Sequence, residues 1–154
     1  MMTMTTTNIK WGLLVTMKVY TSYYAIQSGN PKSKSISLYP PTWYYGKHCS
    51  PFTPPHAAFV AYKKGYMPKE TFFECVMNKY RKISDSVLGR LVHDGDVFLC
   101  FEKDASTCHR SVLAEFLREK GYEVEELKEK YMSQKAIKAA KKAELDKNQL
   151  SLFD

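Results

Sequence analysis

Four side chains with reactive or ionisable groups stand close together near the middle of the chain. Glu102 directly follows the apolar run 97–101, and Cys108, His109 and Arg110 come just before a segment whose apolar residues have helical spacing. The turn from the carboxyl end of a strand into the next helix is where α/β sheets place their chemistry. We therefore predict a candidate catalytic set of Glu102, Cys108, His109 and Arg110.

The chemistry of this turn depends on where the helix begins. If Ser106 or Thr107 is the N-cap, the free backbone N–H groups and the helix dipole favour a bound anion. Arg110 adds a planar set of donors that suits a phosphate. The same positive field would favour the thiolate of Cys108 as a nucleophile, and Glu102 could then act as a base or nucleophile.

Each of these residues also has a structural interpretation. Cys108 could be a packed cysteine, since buried cysteines are common near the start of a helix. Glu102 could pair with Arg110 in an ion pair that only holds the turn together. His109 lies on the same helical face as apolar residues and could point into the core. The sequence leaves these alternatives open.

The surrounding residues resemble a known family. An apolar strand, the pattern C-x-E-K, a short loop, Cys-His-Arg and an apolar helix are similar to the signature of the domain of unknown function 488 family. Further pieces match in order over residues 17–127: the strand end 20–23, the segment 35–43 and the pair 62–63. The resemblance implies an α/β domain with a pocket. We expect anion or nucleic-acid contacts from polar and aromatic residues of these pieces and of the turn: Thr21, Ser22, Tyr23, Ser37, Trp43, Lys63 and Thr107.

The periodicity of the chain predicts the elements that position these residues. Strands are expected at 18–22, 36–39, 97–101 and 123–127, and helices at 55–64, 68–82, 84–93 and from 111 onward. Residues 43–55 are expected to form a long loop. The order of these elements predicts one small α/β domain, with a mostly parallel sheet flanked by helices.

Composition divides the chain into four parts. Residues 1–16 are expected to be a flexible extension, 17–127 the α/β domain, 128–148 a charged helix or linker, and 149–154 a peptide with its own function. A chain of 154 residues is long enough for one domain with a full core. The sequence gives no oligomeric state.

Charge and aromatic content favour contact with nucleic acid. The net charge is +7, and residues 1–90 hold 12 Lys and Arg against 3 Asp and Glu. The same part holds 15 of the 21 aromatic residues, and basic residues interleaved with aromatic ones suit a polyanion with stackable bases. A tyrosine-rich core with solvated lysines around it is the alternative. We predict DNA as a partner.

Cysteine spacing and hydropathy indicate the cellular setting. The four cysteines form no C-x-x-C pair, and the group His48, Cys49 and His56 lacks the spacing of a metal site, so we expect no metal and no cofactor. We find no secretory signal and no apolar run long enough to cross a membrane. A cytoplasmic protein with reduced cysteines is therefore expected.

The last residues carry the most specific pattern. Residues 149–153 read QLSLF, which resembles the bacterial sliding-clamp-binding motif at every position. In that resemblance Gln149 supplies hydrogen bonds, Leu150 makes a small contact, and Leu152 and Phe153 fill an apolar pocket of the clamp. A short apolar group behind a charged tether suits a partner's pocket better than a core. We therefore predict the DNA polymerase sliding clamp as a partner.

These observations support two functions of different classes. The first is an enzyme, hydrolase-like or glycosidase-like, that the clamp carries to replicating or damaged DNA and that processes a base or nucleotide in the Glu/Cys-His-Arg pocket. Phosphodiester hydrolysis is less favoured, because no clustered carboxylates are present to hold metal ions. The second is a non-enzymatic protein, for example one encoded by a bacteriophage, that occupies the clamp and displaces or redirects host replication factors.

Overall fold

The computed structural model describes residues 7–10 and 13–151. Its elements are seven strands and six α-helices, joined by two short 3₁₀ turns. The strands are β1 (Thr7–Lys10), β2 (Leu13–Thr16), β3 (Lys18–Tyr23), β4 (Ser33–Ser35), β5 (Lys47–His48), β6 (Val97–Cys100) and β7 (Glu123–Glu126). The helices are α1 (Tyr24–Gln27), α2 (His56–Lys63), α3 (Lys69–Arg81), α4 (Asp85–Leu91), α5 (Arg110–Glu119) and α6 (Gln134–Ser151). The 3₁₀ turns are Ser50–Phe52 and Ala105–Thr107.

Five strands form one parallel sheet in the order β5-β4-β6-β3-β7. All four residues of β6 are buried, as expected for a strand with neighbours on both sides and cover on both faces. The crossover from β6 through α5 to β7 passes over β3, so β7 pairs with β3 and not with β6. The predicted α/β domain with a parallel sheet flanked by helices is thus confirmed.

The two faces of the sheet bury different residues because side chains alternate along a strand. Phe98 and Cys100 of β6 pack with the helices of the main core, whose largest fully buried apolar side chains include Phe52, Tyr80 and Phe116. Val97 and Leu99 of β6 face the other side and pack with Tyr24 and with partly buried Tyr20, Tyr44 and Leu127. Cys100 therefore lies on the helix-covered face, at the carboxyl end of the central strand.

Several segments differ from the prediction. The strand expected at 36–39 lies instead at Ser33–Ser35, because these are the residues that pair with β6. The N–H group of Ile36 still donates to the carbonyl of Leu99, but Ile36 is no longer part of the strand. The predicted loop 43–55 contains β5 and a 3₁₀ turn. In the extension expected at 1–16, residues 7–10 pair antiparallel with 13–16, and residues 1–6 and 11–12 lie outside the described residues.

The C-terminal helix stands apart from this core. Of the α6 side chains from 134 to 150, all but Ile137 are exposed. The helix begins six residues later than the start of the predicted charged segment at 128, since Ser133 accepts from the N–H of Ala136 at the helix start. Among the helices that the structure describes, none has the length and apolar character needed to cross a bilayer.

Candidate functional site

A cavity of about 280 Å³ opens at the carboxyl ends of β4 and β6 and is closed on its far side by α2 and α3. Its walls come from the segment after β4, from α2 and α3, and from the turn after β6. The lining residues are Ser37, Leu38, Tyr39, Pro54, Phe59, Tyr62, Lys63, Phe72, Cys100, Phe101, Glu102, Thr107, Cys108 and His109. Three of the four predicted catalytic residues and three of the predicted binding residues thus line one cavity.

Two thiols and one imidazole meet at the base of this cavity. The Sγ atoms of Cys100 and Cys108 lie 3.5 and 4.0 Å from Nδ1 of His109, and all three ligand atoms lie within 4.8 Å of one another. All three residues are buried. The structure therefore assembles a sulfur and nitrogen cluster from the end of β6 and the start of α5.

The imidazole of His109 is held in one orientation by the backbone. Its Nε2 lies 2.8 Å from the carbonyl oxygen of Ile36, which can only accept, so Nε2 carries the proton. In the neutral ring Nδ1 is then an unprotonated acceptor that faces the two sulfurs. His109 does face the interior, as one interpretation of the sequence held, but its free nitrogen points at the candidate site.

Glu102 lies beside this cluster at the entrance of the cavity. Its Oε2 accepts from the Cys100 thiol at 3.5 Å, and its Oε1 lies 3.9 Å from Nζ of Lys63. Partial burial alone would raise the pKa of the Glu102 carboxyl, but the Cys108 and Cys100 thiols, its own backbone N–H and the Lys63 charge together lower it. Glu102 is therefore ionised at neutral pH and can accept a proton.

Cys108 does not have the reactive environment that the sequence suggested. The residue is 2% exposed, and burial raises the pKa of its thiol far above the usual range. The first-turn N–H groups of α5, at 111–113, are also not free for an anion, since they donate to the carbonyls of Cys108 and His109. His109 is the N-cap of α5, and the predicted N-caps Ser106 and Thr107 belong to a separate 3₁₀ turn capped by Asp104.

The guanidinium of Arg110 bonds other parts of the domain and is therefore not available to a phosphate. Arg110 is fully buried, and its Nε bonds the Glu126 carboxylate at 2.8 and 3.2 Å. Its NH1 and NH2 groups donate to the backbone carbonyls of Glu102 and Lys103. The carboxylate partner of Arg110 is therefore Glu126 and not Glu102, and the catalytic role of Arg110 stays a prediction.

The aromatic residues shape the rest of the cavity. Tyr62 and Phe72 stack face to face, with ring centroids 4.5 Å apart and planes 6° from parallel. Phe59 meets the ring of Tyr39 edge-on at 6.2 Å. Tyr39 is 61% exposed, so its ring remains accessible at the entrance, whereas the ring of Phe101 packs edge-on against Tyr24. The cavity can therefore accept a flat apolar ligand.

The residues predicted to contact an anion or nucleic acid lie in different places. Ser37 accepts from the hydroxyl of Tyr24 and donates to the Cys100 sulfur, while Lys63 and Thr107 line the cavity wall. Thr21 and Ser22 are buried, and Ser22 donates to the carbonyl of Leu127, so neither is available to an anion.

Two aromatic members of the predicted set also lie outside the cavity. Tyr23 lines a separate cleft with Lys103 and Glu126, and its ring faces the guanidinium of Arg110 at 5.8 Å. Trp43 is 54% exposed and contacts the ring of Tyr24. The end of β3 thus borders this separate cleft, while the segment after β4 lines the cavity.

Sequence reasoning missed Cys100 and the aromatic walls. Cys100 was treated as part of an apolar strand, although it stands two residues before Glu102 and alternation puts both side chains on one face. The signal was therefore present in the C-x-E pattern. The walls from α2 and α3 had no such signal, since apolar helix residues that line a cavity look like residues that fill a core.

The predicted clamp-binding residues are only partly described. Gln149 and Leu150 lie in the last turn of α6, and Leu150 is 71% exposed. Leu152 and Phe153, the two predicted anchors, lie outside the described residues. The motif itself stays a prediction from the sequence.

Comparison with known proteins gave no relative: no family model, curated protein or solved structure matches this chain. The resemblance to the domain of unknown function 488 family therefore rests on the motifs quoted above.

Proposed function

We propose that the protein is a DNA-associated enzyme, tethered to a bacterial sliding clamp, that acts on a single base or nucleotide held in the cavity. The observation that carries the proposal is the joining of aromatic walls to an ionised carboxylate, Glu102, beside two thiols and an imidazole. Enzymes that modify a base take it out of the stack and hold it between apolar side chains. The cavity offers apolar aromatic walls of this kind.

The size of the cavity limits the ligand. Drug-sized ligands occupy sites of about 300–1,000 Å³, and a cavity of about 280 Å³ suits one flat ring system better than a chain of nucleotides. The exposed ring of Tyr39 at the entrance can stack on a base as it enters, and Lys63 offers a positive charge near the entrance.

The charge state of the groups indicates the type of chemistry. Glu102 is ionised and acceptor-only, so it can take a proton from water as a general base. A thiol as deeply buried as Cys108 is a poor nucleophile on its own. Among the described residues, Glu102 is also the only carboxylate that lines this cavity, so the site suits glycosidic-bond or base chemistry better than two-metal phosphodiester hydrolysis.

The clamp tether would bring the domain to DNA, which the cavity by itself does not do. None of the described residues forms a base-reading motif that we recognise, and a clamp on DNA would raise the local concentration of the domain without sequence recognition. The exposed helix α6 ends at the predicted motif, which suits a tether.

The proposal is tested by product analysis on DNA and on mononucleotides. The full-length protein is incubated with each substrate in the presence of a bacterial sliding clamp, and released bases, altered bases and nucleosides are identified by mass spectrometry. Glu102→Gln should reduce the rate by about 100-fold or more, because general-base catalysis contributes that much. Glu115→Gln, at an exposed position of α5, is the matched control and should be unaffected.

The non-enzymatic alternative predicts a different result. A protein that only blocks the clamp would release no product, and its Glu102→Gln variant would inhibit clamp-dependent DNA synthesis as well as the wild type does. Inhibition that survives Glu102→Gln, together with unaltered DNA, would overturn the enzymatic proposal.

A further inference from the structure

We infer that Cys100, Cys108 and His109 form a zinc-binding site whose open coordination position faces the cavity. This inference does not depend on the proposed substrate or on the clamp. It rests on the identity, spacing and orientation of three buried ligand atoms that come from two separate elements.

The spacing fits a tetrahedral ion. Zn–S bonds of about 2.3 Å and a Zn–N bond of about 2.0 Å place sulfur and nitrogen ligands about 3.5 Å apart at tetrahedral angles. The Sγ atoms of Cys100 and Cys108 lie 3.5 and 4.0 Å from Nδ1 of His109. All three ligand atoms lie within 4.8 Å of one another, so movements of about 1 Å or less bring every pair to its tetrahedral separation. Two sulfurs and one imidazole nitrogen are the ligands that favour zinc over magnesium or calcium.

The orientation of His109 supports a metal over a simple hydrogen-bonded cluster. Metal-binding histidines commonly donate their second ring N–H to a carbonyl or carboxylate, and the Nε2 group of His109 does so to Ile36. The remaining lone pair on Nδ1 faces the sulfurs of Cys100 and Cys108, so one cation between the three atoms would be within reach of all of them.

The surroundings leave the fourth position open. Ser37 donates to the Cys100 sulfur at 3.7 Å, which is the kind of contact that orients a thiolate ligand. Glu102 lies 3.5 Å from the same sulfur, yet it does not belong to the group of three mutually close ligand atoms. A water on the ion would therefore lie in the cavity beside the Glu102 carboxylate. A zinc ion with an open position makes such a water acidic enough to become a nucleophile near neutral pH.

The test uses cobalt(II) as a spectroscopic probe on the full-length, untagged, reduced protein after treatment with a chelator. One equivalent of Co²⁺ should give the intense visible bands of a tetrahedral site and a near-ultraviolet thiolate charge-transfer band, and one equivalent of Zn²⁺ should abolish both. Cys100→Ser and Cys108→Ser should each remove part of the charge-transfer band, and the double variant should remove it completely.

The two other cysteines of the chain provide matched controls. Cys49→Ser, at a residue that is also buried, and Cys75→Ser, on α3, should leave the cobalt spectrum unchanged. Loss of the charge-transfer band in either control, or its persistence in the double variant, would overturn the inference.

One measurement does not depend on whether the variants fold. Zinc that binds the folded state raises the thermal midpoint of the wild-type protein, and chelator should reverse the rise. A wild-type protein that takes up no cobalt in stoichiometric amount and shows no zinc-dependent midpoint would exclude the site. The site would also be excluded if Cys100 and Cys108 form a disulfide in air and the protein, once reduced, still binds no metal.

Discussion

At the scale of single residues, the side chains of Arg110 and Cys100 each connect separate segments of the domain. An arginine at the start of a helix suggests an anion site, but the guanidinium of Arg110 is fully buried and bonds Glu126 and two backbone carbonyls. Its role is to fasten the turn after β6 to the edge strand β7. Cys100 looked like part of an apolar strand, yet its sulfur lies beside His109 and Glu102.

The consequence is a stability prediction for Arg110→Met. Methionine keeps much of the apolar stem but leaves the Glu126 carboxylate and two carbonyls without a partner. Removing one member of a buried ion pair costs about 3–5 kcal/mol, so we expect the free energy of unfolding to fall by that amount. Urea denaturation followed by circular dichroism measures it.

Two further variants separate this role from catalysis. Arg118→Met, which removes one part-buried guanidinium hydrogen bond to the carbonyl of Val124, should cost about 1 kcal/mol. Glu126→Leu in the Arg110→Met background should recover part of the loss, because it removes the unpaired charge. An Arg110→Met protein with wild-type stability and no activity would restore the catalytic interpretation of Arg110.

At the scale of elements, periodicity was informative where a segment has one clear face. The apolar run of β6 predicts both ends of that strand to within one residue, and the amphipathic pattern of α5 predicts the start of that helix equally well. The pattern failed at β4, because Ser33 and Ser35 are small polar residues whose burial depends on partners from other segments, such as the Tyr24 hydroxyl on Ser35. The position of the cavity could not be predicted, since it depends on which loop lies beside β6.

Replacing two glycines, one after α5 and one inside α4, should change the free energy of unfolding in opposite directions. Gly121 follows α5 with a φ of 94°, a conformation that costs a residue with a Cβ about 1–2 kcal/mol. Gly89 lies inside α4 on an exposed face, where an added Cβ meets nothing within 4 Å. Gly121→Ala should therefore lower the free energy of unfolding, while Gly89→Ala should raise it by about 0.5–1 kcal/mol.

Thermal and urea unfolding of both glycine variants check this prediction. Equal effects of the two substitutions would mean that the turn after α5 does not need a left-handed residue. The register of β7 against β3, and with it the placement of Glu126, would then be set by packing alone.

At the scale of the whole molecule, the chain separates a compact α/β domain from an exposed helical arm. The domain holds the cavity and its reactive groups, while α6 exposes nearly every side chain that the structure describes. A helix with so little buried apolar surface contributes little to the stability of the domain. Its sequence is therefore free to serve as a tether for the QLSLF residues at 149–153.

The last prediction concerns this arm. The full-length protein should bind a bacterial sliding clamp, and a peptide of residues 145–154 should compete for the same site, because the motif is local. Leu152→Ala and Phe153→Ala should each weaken binding by about 2 kcal/mol or more, since two apolar anchors typically carry most of the energy of so small an interface. Leu145→Ala is the matched control, because Leu145 is a 63% exposed leucine of α6 outside the motif.

Deleting residues 149–154 should abolish clamp binding and leave the thermal midpoint of the domain unchanged, given the exposure of α6. Titration calorimetry and thermal unfolding measure the two quantities on the same protein samples, and a deletion variant that binds the clamp like the wild type would rule out recruitment through the tail.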